Sequence, residues 1–431
     1  MNLTGDTLRR ARRGWYLYDW ASSAFATVIL AALLPVYFAE TVVPAEGLRW
    51  LGLHWSATSL WGYASGLSAL LIFLVAPWLG ALADAAASRR RWLLGLFLPG
   101  AAATTLLVTI GPGDVVRALV LYVASASAFV AANIFYDAFL PLLGGPAERD
   151  RLSARGYAWG YLGGGLIFLL DILLIRNAAR LGLDPLWAAR LALAAAGIWW
   201  GGFGLLAWRR LVEPPAAAPP PRGRALAAEA LRRIRGTLGE VVRRRDLGLF
   251  LAAFLLYNDG IQTVVKMASI YGKDELGFGT GTLLGTLLMV QLVGIAGALL
   301  FGRLAGRMGT RGALLASLVV WLGVTVWGYR IQSPWEFWAL GGAVGLCLGG
   351  TQALSRSFFT RWIPAGRSAE YYGFYSVVAK FSAVGGPILF ALIRQATGTA
   401  RLSILALSGF FVVGIALLAA LRPPRANGTA V

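Results

Sequence analysis

Several residue types are scarce in this chain of 431 residues, and each scarcity removes a class of function. A single cysteine, Cys347, excludes an internal disulfide framework and a cysteine metal cluster. A single histidine, His54, excludes a multi-histidine metal site and leaves no pair for a histidine proton relay. Charged residues make up 14%, against roughly 25% in a soluble domain. Acidic residues are fewest, 20 against 39 basic, for a net charge of +19. No Gly-x4-Gly-Lys-Ser/Thr phosphate loop occurs, so ATP is not expected as the direct energy source.

What remains is apolar: 58% of residues are hydrophobic and the mean hydropathy is +0.67. A soluble fold of this length could not bury so much apolar surface, so a polytopic membrane protein is expected. Arg9, Arg10, Arg12 and Arg13 precede a run too long for a signal peptide and without a small-residue cleavage site. That run is expected to stay as a span.

Twelve runs reach spanning length: 15–39, 57–82, 92–110, 116–140, 156–176, 186–208, 247–271, 279–302, 312–331, 335–360, 371–394 and 402–421. The run at 312–331 carries the fewest markers. With the N-terminus inside, the cytoplasmic segments hold 28 Lys/Arg and the opposite side 9, with Lys266 and Lys380 inside spans. This bias predicts that both termini are cytoplasmic in a multi-pass protein of the cytoplasmic (inner) membrane. It also accounts for the basic residues without nucleic acid.

Between the sixth and seventh runs the pattern breaks. Glu213 to Pro221 is proline- and alanine-rich, a semi-rigid linker. Leu231, Ile234, Leu238 and Val241 then fall at helical spacing opposite Arg232, Arg233, Arg235 and Glu240. This predicts an amphipathic helix, either lying on the inner membrane surface or tying two bundles together. The expected architecture is all-α: a six-helix bundle at 1–210, a cytoplasmic linker with its amphipathic helix at 211–246, and a second six-helix bundle at 247–431.

One loop occurs twice. The first copy runs from Gly80 through Asp84 to Arg89, Arg90 and Arg91, and the second from Gly302 through Gly306, Arg307 and Gly309 to Arg311. Pro141 and Pro364 repeat at nearly the same offset. One unit written twice in a membrane chain is the plan of a two-halved transporter. The glycine at each loop start lets helices approach closely. Asp84 can accept from a neighbouring helix N-terminus or an arginine. Gly80, Asp84, Arg89, Gly302, Arg307 and Arg311 are therefore the expected cytoplasmic latch, which breaks as the halves rock.

A charge at the centre of a span costs about 2.5–3.5 kcal/mol or more and usually faces a cavity. The candidates are Asp19, Asp137, Asp171, Asp259, Lys266, Arg356 and Lys380. Asp19 and Asp137 lie near the cytoplasmic mouth and Asp171 near the outer end of its run. Asp259 and Lys380 lie near the midplane. Asn258, Asp259, Gln262 and Lys266 form one polar stripe, and Gln352, Ser355 and Arg356 decorate the tenth run. The competing explanation for each charge is an interhelical ion pair without substrate contact. Gly156, Gly160, Gly163, Gly164 and Gly165 crowd the fifth run, and Gly385-Gly386-Pro387 interrupts the eleventh.

The first loop resembles the span 2–3 motif of the major facilitator superfamily through Gly80, Leu82, Ala83, Asp84 and Arg89, with Ala85 and Ala87 replacing its mid-loop arginine and glycine. In the second copy Gly306 stands where the aspartate would be. Longer stretches are similar to the vacuole-effluxer-like branch, relatives of the yeast autophagy-related vacuolar amino-acid effluxer. They are Tyr18-Asp19-Trp20-Ala21-Ser22-Ser23-Ala24-Phe25-Ala26, Gly156-Tyr157-Ala158-Trp159-Gly160-Tyr161, Tyr257-Asn258-Asp259-Gly260-Ile261-Gln262-Thr263, Gln352-Ala353-Leu354-Ser355-Arg356-Ser357 and Gly373-Phe374-Tyr375 with Lys380. Ser22 stands where that branch often has asparagine.

The resemblance implies a secondary transporter working by alternating access, exporting a small solute such as an amino acid, driven by the solute's gradient or by protons. Asp259 and Asp19 would then take an ammonium group, and Lys380 and Arg356 a carboxylate. Gln352, Asn258 and Gln262 would complete the substrate or proton site. The alternative is an exporter of amphipathic compounds or drugs. A non-transporting receptor or enzyme is more distant, since no signalling domain, nucleophile–base pair or metal set is apparent. A monomer without cofactor is expected, surrounded by lipid and binding a small molecule and, in the coupled case, protons. Neutralising Asp259 or Lys380 is expected to abolish flux in proteoliposomes at unchanged membrane abundance; wild-type flux in either variant would overturn that assignment.

Overall fold

The computed structural model describes residues 5–50, 53–214 and 220–421, so the centre of the proline-rich linker, 215–219, lies outside the described residues. In lipid a long apolar segment satisfies its backbone only within itself, which is why these runs are helices. Spans 1 to 6 are Gly5–Val42, Ala57–Ala85, Arg89–Thr109, Val115–Leu143, Pro146–Arg176 and Pro185–Trp208. Span 7 is Arg245–Ala268, span 10 Pro334–Trp362, span 11 Ser368–Thr397 and span 12 Ala400–Ala420. Between spans 7 and 10 one helical stretch, Thr280–Arg330, is interrupted at Gly309 (φ 78°, ψ 155°). A side chain would be strained at that φ, so this glycine of the second loop sets a sharp turn. The stretch therefore holds span 8 (280–308) and span 9 (310–330), and the twelve spans form two six-helix bundles.

Several helices outrun their apolar runs, span 5 starting at Pro146 rather than 156. Span 1 begins at Gly5, ten residues before its apolar run. Its first turns carry Arg9, Arg10, Arg12 and Arg13, so the helix projects beyond the apolar layer. The end of the molecule carrying these turns and the 2–3, 4–5, 8–9 and 10–11 connections is called the linker face below. Past span 1, Leu48–Trp50 and Leu53–Trp55 pair as a short antiparallel ribbon at the opposite end, which an all-helix reading does not contain.

Two spans are irregular at depth. Span 1 widens into π-helical turns at Phe25–Ala32 and Phe38–Val42. Such bulges frequently accompany functional sites. Span 11 stops at Phe381 and resumes at Gly385.

The linker helix is Arg224–Arg243. It rests on protein, packed against spans 2 and 11 with Ala230 and Thr237 buried. Leu238 of its apolar stripe stays exposed. Its main anchor is polar. Arg367, just before span 11, donates to Glu240 Oε1 (2.6 Å) and Glu370 Oε1 (2.8 Å), and the Tyr371 hydroxyl donates to Glu240. Burial pushes the Glu240 carboxyl up, but Tyr371, Arg367 and Arg244 more than offset this and hold it below its usual range. Hydrogen bonding to Glu370 leads the causes that hold Arg367 above its ordinary value.

Tight crossings depend on small residues. At the span 8–10 crossing, a Cβ on Gly297 would lie 2.1 Å from the Leu346 carbonyl oxygen, a backbone atom that cannot swing away. Gly342, one turn earlier in span 10, has open space at its Cβ position. Gly297→Ala is therefore expected to destabilise the protein by about 1–3 kcal/mol, typical of overpacking. Thermal unfolding in detergent should show a lower Tm for Gly297→Ala and no loss for Gly342→Ala; equal Tm values would refute the crossing as the limiting contact.

Candidate functional site

The most elaborate polar cluster joins the two halves. Arg356 comes from span 10, six residues before its end, and is 3% exposed. Its partners all belong to the first half. Its guanidinium donates to Ser153 Oγ (2.9 Å) and Ser153 O (3.1 Å) of span 5. It donates to Asp137 Oδ1 of span 4 at 3.1 Å and to Asp19 Oδ2 of span 1 at 3.4 Å. The Tyr136 hydroxyl also donates to Asp19 Oδ2, at 2.7 Å. Aromatic faces complete the enclosure, with the guanidinium carbon 4.3 Å from the Tyr157 ring and 4.6 Å from the Trp15 ring. Gly156 leaves the space: a Cβ there would lie 2.7 Å from Asp19 Oδ2 and 3.0 Å from Arg356 Nη2.

The repeated loops sit beside this cluster, and their chemistry differs. Asp84 does both things its position allows. Its Oδ1 accepts from Arg89 (2.6 Å), and its Oδ2 accepts the Glu370 backbone N–H (2.8 Å) in the first turn of span 11. That N–H is one of the unpaired donors at a helix start, so Asp84 caps a helix of the opposite half. A Cβ on Gly80 would lie 2.3 Å from the Ala369 carbonyl oxygen, which fixes the span 2–11 crossing. Gly302 holds the counterpart crossing, where a Cβ would lie 2.5 Å from Ala154 Cβ.

The second loop has no aspartate at Gly306, and the first half supplies one instead. Asp150, in the first turns of span 5, accepts from Thr310 (2.6 Å) and from Ser357 (2.6 Å). Arg311 does not join this contact. It donates to the Leu418 carbonyl at 2.9 Å and to that of Ala419, closing the end of span 12. Arg307 is exposed and makes no hydrogen bond or ion pair among the described residues. Ser368 Oγ donates to Ala138 O (2.9 Å), and Arg149 donates to Thr360. Among the described residues, the inter-half hydrogen bonds lie toward the linker face or at mid-depth. The structure is closed at the linker face.

The polar stripe of span 7 meets the break in span 11. Asn258 Nδ2 donates to Ser382 Oγ, and Lys266 Nζ donates to the Ala383 carbonyl at 3.4 Å. Asp259 Oδ1 accepts the Gly386 N–H at 2.9 Å. Asp259 thus caps the restarted half of span 11 within its own bundle. Lys380 and Asp259 do not pair, and Lys380 has no carboxylate partner among the described residues. Its neighbour Phe381 meets Phe73 of span 2 edge-on at 5.1 Å. Gln262 makes no hydrogen bond among the described residues. At mid-depth, the Tyr161 hydroxyl donates to Gln352 Oε1 (3.1 Å) and Gln291 Nε2 to Thr27 Oγ1 (2.6 Å), both across the halves.

Sequence reasoning thus found both charged ends of the Arg356 cluster but not their union. It did not single out Ser153, Tyr136, Asp150 or Gln291. Asp150 could have been suspected, because Gly306 leaves a carboxylate missing at the matching place. Uncharged Ser153 and Gln291 carry no sequence signal that separates them from packing residues.

Comparison with known proteins agrees with this architecture. The model of the family described as "Vacuole effluxer Atg22 like" matches residues 7–430. An uncharacterized MFS-type transporter, YxiO of Bacillus subtilis, is 30% identical over 95% of this chain and 94% of its own length. Autophagy-related protein 22 of Yarrowia lipolytica is 26% identical over 84% and 75%. Among solved structures, the human organic anion transporter MFSD10 superposes with a TM-score of 0.67 at 17% identity, covering 96% of this chain and 100% of that one. The fucose:proton symporter FucP of E. coli gives 0.67 at 15% identity, over 96% and 98%. These two likenesses are of fold.

The geometry separates two residues that sequence grouped together. Asp259→Ala removes the cap on the span 11 break, so both Tm and flux should fall. Asp259→Asn keeps an acceptor oxygen and should recover much of the stability, since a lost cap costs about 1 kcal/mol. Lys380→Gln should lose flux at unchanged Tm. Thermal unfolding and proteoliposome flux on the same preparations test this; an Asp259→Ala protein as stable as wild type would refute the capping role.

Proposed function

The chain belongs to the vacuole-effluxer Atg22-like family of major facilitator transporters, and from that premise we propose that it exports a small metabolite, an amino acid or a similar solute, by alternating access. It is a multi-pass membrane transporter and not an enzyme. The observation that carries the alternating-access reading is the Arg356 cluster. A buried charge from one half finds every counter-charge on the other half, so the contact breaks whenever the linker face opens. The Asp84 cap on span 11 and the Asp150 contacts release in the same movement.

Location and direction are part of the proposal. The bias of lysine and arginine supports a cytoplasmic linker face and cytoplasmic termini in the cytoplasmic membrane. Closure at the linker face then seals the substrate path from the cytoplasm. The family's description as effluxers favours export. Lys380, without a carboxylate partner among the described residues, is the proposed site for a substrate carboxylate. Gln352 and Gln291 would offer amide groups at the same depth. Arg356, Asp19 and Asp259 are occupied by protein partners in this closed arrangement, and we assign them to gating and to span 11 rather than to the first contact with substrate. FucP is named a proton symporter, which makes a proton the coupling ion to test first.

The test is uptake and counterflow in proteoliposomes over a panel of amino acids and related metabolites, with and without a pH gradient. Saturable exchange of at least one amino acid is expected, with a rate that responds to the gradient if protons couple. Arg356→Gln leaves two buried carboxylates without their cation, a loss of about 3–5 kcal/mol for the closed linker face, and should reduce flux at least tenfold. Exchange of amphipathic cations that no amino acid inhibits would assign the drug-export alternative instead.

A further inference from the structure

A second polar feature lies away from the gate and the span 11 break. Asp171 of span 5 is 3% exposed, and its Oδ2 is buried without a hydrogen-bond partner among the described residues. It sits in a groove of about 670 Å³ between spans 5 and 6. The other walls are apolar, among them Leu170, Leu174, Ile198, Trp199, Phe203 and Leu206. Leu170, Leu206 and Ile198 are exposed, Ile198 by 63%. An exposed apolar face on a membrane span meets acyl chains, so the groove opens to lipid.

A carboxylate so placed needs a donor that no described residue provides, because an unpaired buried polar group is strongly disfavoured. Depth says what can supply it. Asp171 lies five residues before the end of span 5 at Arg176, about 7.5 Å along the axis at 1.5 Å per residue. That places it within about a turn and a half of the end of the span, in reach of a lipid headgroup. We propose that the groove is a binding site for a membrane lipid with a primary-ammonium headgroup, phosphatidylethanolamine. The ammonium N–H donates to Asp171 Oδ2, and an acyl chain lies along Leu170, Ile198 and Phe203. The orphan oxygen calls for a hydrogen-bond donor, which the quaternary ammonium of phosphatidylcholine lacks. An anionic headgroup would meet like charge.

The site touches none of the gate residues, so its test is independent of the transport assignment. Purified protein would be reconstituted in nanodiscs of dioleoyl-phosphatidylcholine doped with dioleoyl-phosphatidylethanolamine or with dioleoyl-phosphatidylglycerol. Native mass spectrometry would then count the retained lipid. Wild type should retain phosphatidylethanolamine over both others by about tenfold or more, the ratio that a charged hydrogen bond supplies. Asp171→Asn and Asp171→Leu should lose that preference. Gly202→Leu fills the groove where a Cβ meets open space, and should lose the lipid with the carboxylate still present. Should an Asp171 variant fail to fold, Gly202→Leu decides the matter. Equal retention of the three lipids by wild type would overturn the proposal. So would full phosphatidylethanolamine retention in Asp171→Asn, which would show that the carboxylate is not the recognising group. With dodecylamine doped into a further set of nanodiscs, its retention without phosphatidylethanolamine would also overturn the proposal, in favour of a soluble amphiphile.

Discussion

A guanidinium buried inside a membrane protein must be surrounded by acceptors, and the rest of this structure is arranged around that demand. Arg356 meets it with Asp19, Asp137 and Ser153, all contributed by the opposite half. The closed linker face is therefore set by electrostatics as much as by packing. The energetics suit a switch. Removing one partner of a buried pair is costly, whereas the intact pair is worth little beyond the desolvation it has already cost. Water entering as the halves part can replace those partners at a small net difference. Two arrangements of similar free energy are what a substrate or an ion can bias.

Across the halves, the carboxylates around that switch are paired with a consistent polarity. Asp19, Asp84, Asp137 and Asp150 all come from the first half. The donors come from the second half: Arg356, the Glu370 backbone, Thr310 and Ser357. The two copies of the loop thus share a position but not a direction of hydrogen bonding. Gly80 and Gly302 keep the matching helix crossings tight in both copies. The linker is coupled to the same place. The Glu370 backbone binds Asp84, and its side chain is held by Arg367, which also binds Glu240 of the linker helix. A continuous run of bonds thus joins the linker helix to the Asp84 contact.

One chemical device appears at two depths with different consequences. Asp84 caps a helix start across the halves, so its bond is lost on opening. Asp259 caps the restarted half of span 11 inside one bundle, so its bond can persist through the cycle. Both satisfy backbone donors that lipid cannot satisfy. Only the second makes a broken helix tolerable at the midplane. Lys380 then stands beside the break as a cation without a carboxylate partner among the described residues.

Composition and periodicity carry the class and the plan of the molecule. Long apolar runs in lipid have one stable backbone solution, so twelve helices in two halves were legible from composition and periodicity. Glycine and aspartate in the first loop were legible too, because close approach and helix capping are local needs. The pairing of charges was decided only by tertiary structure. Asp19 and Arg356 are 337 residues apart in sequence, and depth along a span does not say which neighbour a side chain faces. The polar stripe of span 7 looked like a binding surface because its spacing was right, but packing turned most of it toward the break in span 11. Asp150 could take the role that Gly306 leaves vacant because a hydrogen bond specifies where a carboxylate must lie in space and not which segment must carry it.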